Sequence, residues 1–289
     1  MDVHRIRRAA ASARDWLALA LAYPTSYYKG RKNRELFEDI GGYCMFIGYP
    51  RSGHSLVGSL LDAHPHAIVA HELDALKFVE AGFSKLQLYQ LLLDNSRRFA
   101  RRGREWTGYD YEVPHQWQGR FDELRIIGDK KGGRSTLRLA ENPNLPHQLY
   151  KTVATTVRFV HTIRNPYDNI ATMHKRALEQ DRNHTLGATV EDYLSRCEMN
   201  AGLKERLGNG AVLDVRHESF VEDPKSSLRE LCDFLGLGYD EGYLEDCASI
   251  VFGSPRRSRH DVEWDDASLA AVRAGIERFG FLRGYSYEE

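Results

Sequence analysis

The 289-residue chain has little of what marks a disulfide scaffold or a zinc protein. It lacks Cys-x-x-Cys pairs and clustered histidine partners, and its four cysteines are Cys44, Cys197, Cys232 and Cys247. Secreted scaffolds and zinc modules need denser cysteine at characteristic spacings. The pattern predicts reduced, mostly buried thiols, and we expect a cytoplasmic protein that needs no metal.

The chain also lacks an excess of either charge. Its 40 Lys and Arg face 41 Asp and Glu, a formal net charge of −1 at pH 7. A protein that coats nucleic acid carries a broad basic excess, so we expect no nucleic-acid partner and only a local anion site. With 42% hydrophobic residues and only 9 prolines, disorder is excluded. No Pro/Gly/Ser linker divides the chain, which favours a single domain.

Long apolar runs are absent as well. The longest near the start, residues 16–23, is about a third of a membrane span. Arg14 and Asp15 interrupt what would be a signal-peptide core, which argues against secretion. Residues 5–22 are basic first and then rich in Leu and Ala, which predicts an amphipathic helix. That helix either packs against protein or lies on a membrane surface. We therefore divide the chain into an N-terminal helical extension over 1–40 and a main domain over 41–289.

Five short apolar runs predict buried parallel strands, most of them followed by helical patterning: residues 44–48, 67–70, 124–128, 157–163 and 211–215. This alternation predicts an α/β domain with a central parallel sheet of about five strands flanked by helices. Such sheets bind ligands beyond the carboxyl ends of their strands. The functional residues should therefore lie in the loops that follow the strands.

The loop after the first strand has the length of a phosphate-binding P-loop, since Gly48 and Gly53 bracket it and Ser55 follows. Backbone N–H groups and a helix N-terminus would meet there and favour an anion. The lysine that P-loop NTPases place after the second glycine is His54 here, which weakens a role in ATP or GTP hydrolysis. Arg51 offers a cation for phosphate or sulfate. The alternative is a tight turn with a surface arginine.

The run Pro50-Arg51-Ser52-Gly53 followed by Ser55-Leu56 resembles the 5′-phosphosulfate loop of sulfotransferases that use 3′-phosphoadenosine 5′-phosphosulfate (PAPS). The continuation over residues 61–65 is more similar to the tyrosylprotein and carbohydrate branch than to the small-phenol branch. The resemblance implies a P-loop-like sulfotransferase fold. It also implies that the 5′ end of the nucleotide binds Arg51, Ser52, Gly53, His54 and Ser55, with His54 in place of the usual threonine.

A second phosphate signal lies at the end of the fourth predicted strand. Arg164 closes the strand, Pro166 opens a helix, and Thr172 follows eight residues after the arginine. This resembles the 3′-phosphate motif of the same family, which implies that Arg164 and Thr172 bind the 3′-phosphate. The alternative is an ordinary helix N-terminus, where Asp168 complements the dipole.

Two further segments resemble the nucleotide site of the family. His217 stands at the position usually held by a tyrosine that contacts adenine. The run around Arg256, Arg257 and Arg259 resembles the basic loop that folds over the nucleotide. Solvated surface charge is the alternative for these three arginines.

Glu72 follows the second predicted strand and aligns, by its distance from Pro50, with the catalytic glutamate of the tyrosylprotein branch. We expect it to be the general base, a role that suits a raised pKa. His71 is the alternative base, and Glu72 could instead cap the next helix. A lysine after the third strand stabilises the leaving oxygen in the resembling branch. Lys130 fits that role best, Lys131 is possible, and Arg51 would share the task.

Acceptor binding is predicted for the side chains that crowd the segment before Lys130, together with His71. The aromatic candidates there are Trp106, Tyr109 and Trp117, and a packed flap is the alternative.

Taken together, the resemblance implies an enzyme that transfers sulfonate from PAPS to a hydroxyl acceptor by in-line displacement, without a metal. The acceptor would be a carbohydrate, a peptide tyrosine or a small metabolite. The alternatives are a P-loop-type nucleotide kinase and a non-catalytic nucleotide-binding protein. The oligomeric state stays open.

Overall fold

The structure is a computed structural model that describes residues 13–208 and 210–288. In chain order the strands are β1 (Gly42–Gly48), β2 (Ala67–His71), β3 (Glu105–Trp106), β4 (Tyr109–Asp110), β5 (Ile126–Lys130), β6 (Thr156–Ile163) and β7 (Val212–Arg216). The helices are α1 (Ala13–Lys32), α2 (His54–Asp62), α3 (Ala75–Glu80), α4 (Lys85–Arg101), α5 (Gly133–Glu141), α6 (Leu145–Val153), α7 (Pro166–Leu178), α8 (Leu186–Leu207), α9 (His217–Glu222), α10 (Pro224–Leu235), α11 (Glu241–Ser249) and α12 (Asp266–Arg278). Short 3-10 helices span Arg34–Phe37, Ser258–Asp261 and Gly280–Leu282.

Five strands form one sheet in the order β2-β5-β1-β6-β7, and every pair in it is parallel. The central strand β1 is buried along its whole length, as expected for a strand covered on both faces. Gly128 of β5 faces Cys44 of β1, and a side chain there would collide with the Cys44 carbonyl group. The predicted α/β class with a five-stranded parallel sheet is therefore confirmed.

Helices cover both faces of the sheet, and β1 shows the division residue by residue. Met45 and Ile47 point into a core shared with Phe159 and Leu92, while Cys44 and Phe46 belong to a second core on the opposite face. This is the two-residue alternation of a strand. A third apolar cluster packs beneath α7, α8 and α12 and holds the loop after β1 through Tyr49 and Tyr193.

The third predicted strand was placed two residues too early, because the strand runs from Ile126 to Lys130 rather than over 124–128. The polar pair Asp129 and Lys130 is completely buried within it. Their side chains are used at the end of the sheet, so the hydrophobic pattern stops before the strand does.

All four cysteines are buried, as predicted, and none of them is bonded to another. The predicted helix over residues 5–22 lies partly outside the described residues, and α1 continues to Lys32 and packs on α4. Within residues 13–208 and 210–288, no helix is long and apolar enough to cross a membrane.

Candidate functional site

A cavity of about 960 Å³ opens at the carboxyl edge of the sheet, where a parallel α/β sheet is expected to bind its ligand. Loops that follow all five strands contribute to its walls. They bring in the segment from Pro50 to Leu56, Glu72, the start of α5, Arg164 with the middle of α7, and His217.

The loop after β1 bends sharply into the first turn of α2. Gly53 has a φ of 91°, and a Cβ there would overlap the His217 imidazole, so both conformation and space require glycine. Arg51 also has a positive φ, 67°, which costs a non-glycine residue on the order of 1–3 kcal/mol. The side chain of Asn169 holds the loop by donating to the Pro50 carbonyl at 2.8 Å. Because the first turn of α2 lines the cavity, its free N–H groups favour an anion there.

Glu72 sits on a second strained turn, at the end of β2. Its φ is 59°, and its backbone N–H donates to the Lys130 carbonyl at 3.0 Å. The buried Asp129 carboxylate accepts hydrogen bonds from two backbone N–H groups that follow Glu72, those of Leu73 at 3.1 Å and Ala75 at 2.7 Å. These bonds fix the turn, and they place the Glu72 carboxylate on the cavity wall.

The Glu72 carboxylate is surrounded by cationic and imidazole groups. Lys130 Nζ donates to Oε1 at 2.7 Å and Lys131 Nζ donates to Oε2 at 2.6 Å, while His54 Nε2 lies 3.6 Å from Oε1. Burial alone would raise the pKa of Glu72, but His54, Lys130 and Lys131 together lower it well below its ordinary value. The pKa of this carboxyl is therefore lowered, and our expectation of a raised pKa is wrong.

The two adjacent lysines differ in what they touch. Lys130 is 1% exposed, and its Nζ also donates to Ser55 Oγ at 2.9 Å, which links Glu72 to the loop after β1. Its stem packs against Gly58 of α2, where a side chain would displace it. Burial lowers the pKa of Lys130 and the Glu72 carboxylate opposes that shift. Lys131 is more exposed and pairs with Glu72 at 2.6 Å.

His54 begins α2 and faces both the loop and the carboxylate. Its Nδ1 lies 3.2 Å from Ser52 Oγ, and Ser52 in turn donates to the Tyr49 carbonyl at 3.1 Å. Burial lowers the pKa of His54 more than Glu72 raises it, so the imidazole is neutral at pH 7. Ser52 is buried, while Gly53, His54 and Ser55 line the cavity.

Arg164 joins three loops at the other end of the cavity. Its Nη1 donates to Thr172 Oγ1 at 3.2 Å and to the Arg51 carbonyl at 3.4 Å. Its Nη2 donates to the Arg256 carbonyl at 2.7 Å and to Ser258 Oγ at 3.1 Å. Arg164 Nε is buried and, among the described residues, has no hydrogen-bond partner. The two residues of the predicted 3′-phosphate pair therefore lie together at this end of the cavity.

Ser258 is a residue that the sequence analysis missed. It stands inside the basic run, so the hydroxyl among arginines was the signal that could have identified it.

The three arginines of the basic run divide into different roles. Arg256 lines the cavity and pairs with Asp261 at 3.0 Å, while Arg257 is exposed and lies outside the lining. Arg259 is buried and pairs with Asp168 at 2.7 Å, and it also donates to two carbonyl groups near the C-terminus. Arg259 thus anchors the run to α7, and only Arg256 of the three faces the space for a nucleotide.

His217 lies on the cavity wall directly against Gly53. Burial and, to a smaller extent, the charge of Arg164 lower the pKa of His217 to about 4. Its Nδ1 is buried and has no partner among the residues that the structure describes. The position predicted to contact adenine therefore presents a neutral ring with one unused polar atom.

Of the three aromatic residues predicted to bind the acceptor, two line the cavity and one does not. Trp106 and Tyr109, on the β3–β4 hairpin, line the cavity, where the Tyr109 ring meets Phe252 edge-on at 5.8 Å. Trp117 does not line the cavity. Its backbone N–H donates to the Ala63 carbonyl, at the end of α2. Phe252 was not singled out from the sequence, although it stands only four residues before Arg256.

His71 also lies outside the lining. Its ring stacks on Phe99 at 4.0 Å, and burial, followed by the charge of Lys130, lowers its pKa to about 2. An imidazole with so low a pKa takes up a proton poorly, and this ring faces Phe99 rather than the cavity, so His71 is poorly placed to serve as the alternative base.

Four further cations line the cavity without having been predicted: Arg134, Lys175, Arg176 and Arg196. Arg134 follows the Gly-Gly pair after β5, which was a usable signal. Arg196 comes from the middle of α8 and reaches the Gly133 carbonyl at 3.4 Å, so no strand-end rule could have found it. Among residues 13–208 and 210–288, no His, Cys, Asp and Glu side chains cluster in a way that could hold a metal ion.

The chain was compared with known proteins. A model described as the sulfotransferase family matches residues 45–241. The structure is similar to the sulfotransferase domain of the Synechococcus PCC 7002 olefin synthase, with a TM-score of 0.54 and 17% identity over 83% of this chain and 95% of that one. It is also similar to the sulfotransferase domain of the curacin biosynthetic pathway, with a TM-score of 0.55 and 13% identity over 86% and 99% of the chains. For sulfotransferase STF9 from Mycobacterium avium, the values are 0.52 and 11% over 88% and 81%. These identities show a shared fold alone, and no curated protein matches the chain.

Proposed function

Since the chain belongs to the sulfotransferase family, we propose that it transfers the sulfonate group of PAPS to a hydroxyl group of its acceptor. The acceptor is a carbohydrate, a peptide tyrosine or a small metabolite. The observation that carries the proposal is the link from Ser55 through Lys130 to Glu72, which joins the anion-binding loop to a carboxylate on the same cavity wall. The likeness to the tyrosylprotein and carbohydrate branch stays a prediction.

The cavity suits a ligand that is anionic at both ends. Eight Lys and Arg and three Asp and Glu line it, which leaves a local excess of cations in a chain whose net charge is −1. At one end Arg51 and the first turn of α2 would hold the 5′-phosphosulfate. At the other, Arg164, Thr172 and Ser258 would hold the 3′-phosphate through charge-assisted hydrogen bonds. His217 would contact the base.

Transfer forms a bond between the acceptor oxygen and sulfur, breaks the bond from sulfur to the 5′-phosphate oxygen, and releases the acceptor proton. Glu72 would take the proton. Lys130 and Arg51 would stabilise the charge that develops on the leaving phosphate, an electrostatic task in a largely buried site. The products are a sulfate ester and 3′-phosphoadenosine 5′-phosphate.

Glu72 is a weak base while two lysines hold it. Lys130 already contacts Ser55 of the anion-binding loop, so a small movement of its Nζ would transfer it from Glu72 to the leaving oxygen. Loss of that neighbouring positive charge raises the pKa of Glu72. In this mechanism the base becomes competent only after the sulfonate donor has bound.

The test is transfer of labelled sulfonate from PAPS to a panel of sugars, tyrosine peptides and small alcohols. Glu72→Gln should lower turnover on the order of 10²–10⁴-fold, because it removes general-base catalysis. Binding of 3′-phosphoadenosine 5′-phosphate, measured by calorimetry, should stay nearly unchanged. Glu123→Gln, on an exposed side chain that does not line the cavity, is the matched control.

Two results would count against the proposal. Wild-type turnover in Glu72→Gln would remove Glu72 as the base. Tight binding of Mg²⁺–ATP without affinity for 3′-phosphoadenosine 5′-phosphate would favour the nucleotide kinase. The presence of His54 where such kinases carry lysine argues against that alternative. Nucleotide binding without transfer to any acceptor would favour a non-catalytic protein.

A further inference from the structure

Helix α1 is fixed to the domain along one face only. Leu19 is fully buried, and a Cβ on Gly30 would lie 2.5 Å from the Leu86 carbonyl oxygen, so the helix lies directly against the start of α4. The Gln87 side chain donates to the Tyr23 carbonyl at 3.0 Å, and Lys29 pairs with Asp94 at 3.0 Å. The orientation of α1 is therefore set by packing.

The opposite face of α1 presents large apolar side chains to solvent. Leu17 is 53% exposed, Leu21 64% and Tyr28 72%, and their spacing of four and seven residues places them on one stripe. Trp16 and Tyr27 border that stripe and are also exposed, at 36% and 48%. We call these five residues the α1 outer face. Exposed side chains of this size in one contiguous patch mark a contact surface.

Positive charge is concentrated in the part of the sequence that contains this helix. Residues 1–34 contain eight Lys and Arg and two Asp, a formal charge of +6, whereas residues 35–289 contain 32 Lys and Arg and 39 Asp and Glu, a formal charge of −7. Arg31 and Lys32 at the end of α1 are exposed, and the Arg31 guanidinium both donates to the Tyr27 hydroxyl at 3.0 Å and lies 5.6 Å from its ring centroid. The surface that would meet the outer face should therefore be anionic.

We propose that the α1 outer face binds the surface of a membrane that contains anionic lipids. Tryptophan and tyrosine favour the boundary between water and hydrocarbon, because their rings are apolar and their N–H or O–H groups are polar. Leucines insert beside them, and the flanking arginines and lysines contact the lipid phosphates. The helix lies along the surface and does not cross it. This inference does not depend on the sulfonate-transfer proposal.

Co-sedimentation of the full chain with vesicles tests the proposal. Binding to phosphatidylcholine vesicles that contain phosphatidylserine should exceed binding to pure phosphatidylcholine vesicles, and added salt should weaken it. Leu21→Asp should weaken binding to the anionic vesicles about tenfold or more, because it puts a charge on the inserted stripe. Tyr239→Asp adds the same charge at an exposed aromatic side chain outside α1 and should bind as the wild type does.

Two further measurements separate this role from folding and from protein contacts. Leu21→Asp should keep the thermal unfolding temperature and the affinity for 3′-phosphoadenosine 5′-phosphate, since Leu21 is exposed and does not line the cavity. The proposal is overturned if the wild type does not bind anionic vesicles more strongly than neutral ones, or if Leu21→Asp binds anionic vesicles as well as the wild type does. It is also overturned if the wild type forms a dimer in solution that Leu21→Asp dissolves, because the face would then belong to a second copy.

Discussion

Lys130 Nζ lies 2.7 Å from Glu72 Oε1 and 2.9 Å from Ser55 Oγ, so one buried ammonium group connects the proposed base with the anion-binding loop. An ammonium group carries three N–H donors, so it makes both contacts at once. In the proposed mechanism, a sulfonate donor that draws Lys130 away from Glu72 would raise the pKa of that carboxyl, so binding of the donor would activate the base.

Replacement of Lys130 should separate the two lysines. Lys130→Met removes the group proposed to stabilise the leaving oxygen, and turnover should fall on the order of 10²–10³-fold, the range for losing one such donor. Lys131→Met removes a more exposed partner of Glu72 and should lower turnover by about tenfold or less. Single-turnover transfer rates at saturating PAPS measure both. Equal losses in the two variants would contradict the assignment to Lys130.

Thr172 should act specifically on the 3′-phosphate. Thr172→Val removes the hydroxyl beside Arg164 but keeps the side-chain volume. It should lower the affinity for 3′-phosphoadenosine 5′-phosphate by about fivefold to tenfold. The affinity for AMP, which lacks the 3′-phosphate, should stay constant. Calorimetry with both nucleotides provides the comparison, and Thr155→Val, at an exposed hydroxyl that bonds the Gly41 carbonyl, is the control. Equal weakening of both nucleotides would place Thr172 outside the 3′-phosphate contact.

Protonation of His217 should destabilise the fold in acid. Its folded pKa of about 4 lies below the ordinary histidine value of 6.5, so the unfolded chain binds the proton more readily. The contribution of the neutral ring is complete above the unfolded pKa and is lost as the pH falls from about 6.5 towards 4. His217→Tyr, which introduces the usual residue of the family, should reduce this loss. Urea unfolding at several pH values measures it.

A matched control for that experiment is His115→Gln, on an exposed histidine away from the cavity lining. It should leave the pH dependence of the unfolding free energy as in the wild type. If His217→Tyr also leaves it unchanged, the acid sensitivity arises from other buried histidines such as His161.

Gly53 should tolerate no side chain. Gly53→Ala introduces a Cβ that overlaps the His217 ring at a φ of 91°, and it should lower the free energy of unfolding by about 1–3 kcal/mol and abolish nucleotide binding. Gly187→Ala, in the first turn of α8 where a Cβ meets open space, should leave stability unchanged or slightly raised. Chemical denaturation and calorimetry report both effects. Retained nucleotide binding in Gly53→Ala would show that the loop is not the anion site.

The sequence was informative wherever one residue's type and its place after a strand were enough. Apolar runs predicted all five sheet strands, and the strand-end rule located Arg51, Glu72 and Arg164 on one cavity. The sequence was less informative where a partner distant in the chain decides the role. Arg259 looked like its neighbour Arg256 until Asp168, 91 residues away, was seen to pair with it. Arg196 reaches the cavity from a helix interior, and the pKa of Glu72 depends on lysines of another strand.

The order of the strands has a consequence for how the protein acquires its site. β1 lies at the centre of the sheet, yet its neighbours β5 and β6 begin at Ile126 and Thr156, far along the chain. Pairing of strands so distant in the chain is slow, because the intervening residues lose conformational entropy before the stabilising contacts between the strands have formed. During synthesis one edge of β1 stays unpaired until β5 has emerged, and the other until β6 has emerged. Arg51 and Arg164 meet only once β6 has paired with β1, so a bound nucleotide would favour that form over every form in which the two strands are still apart.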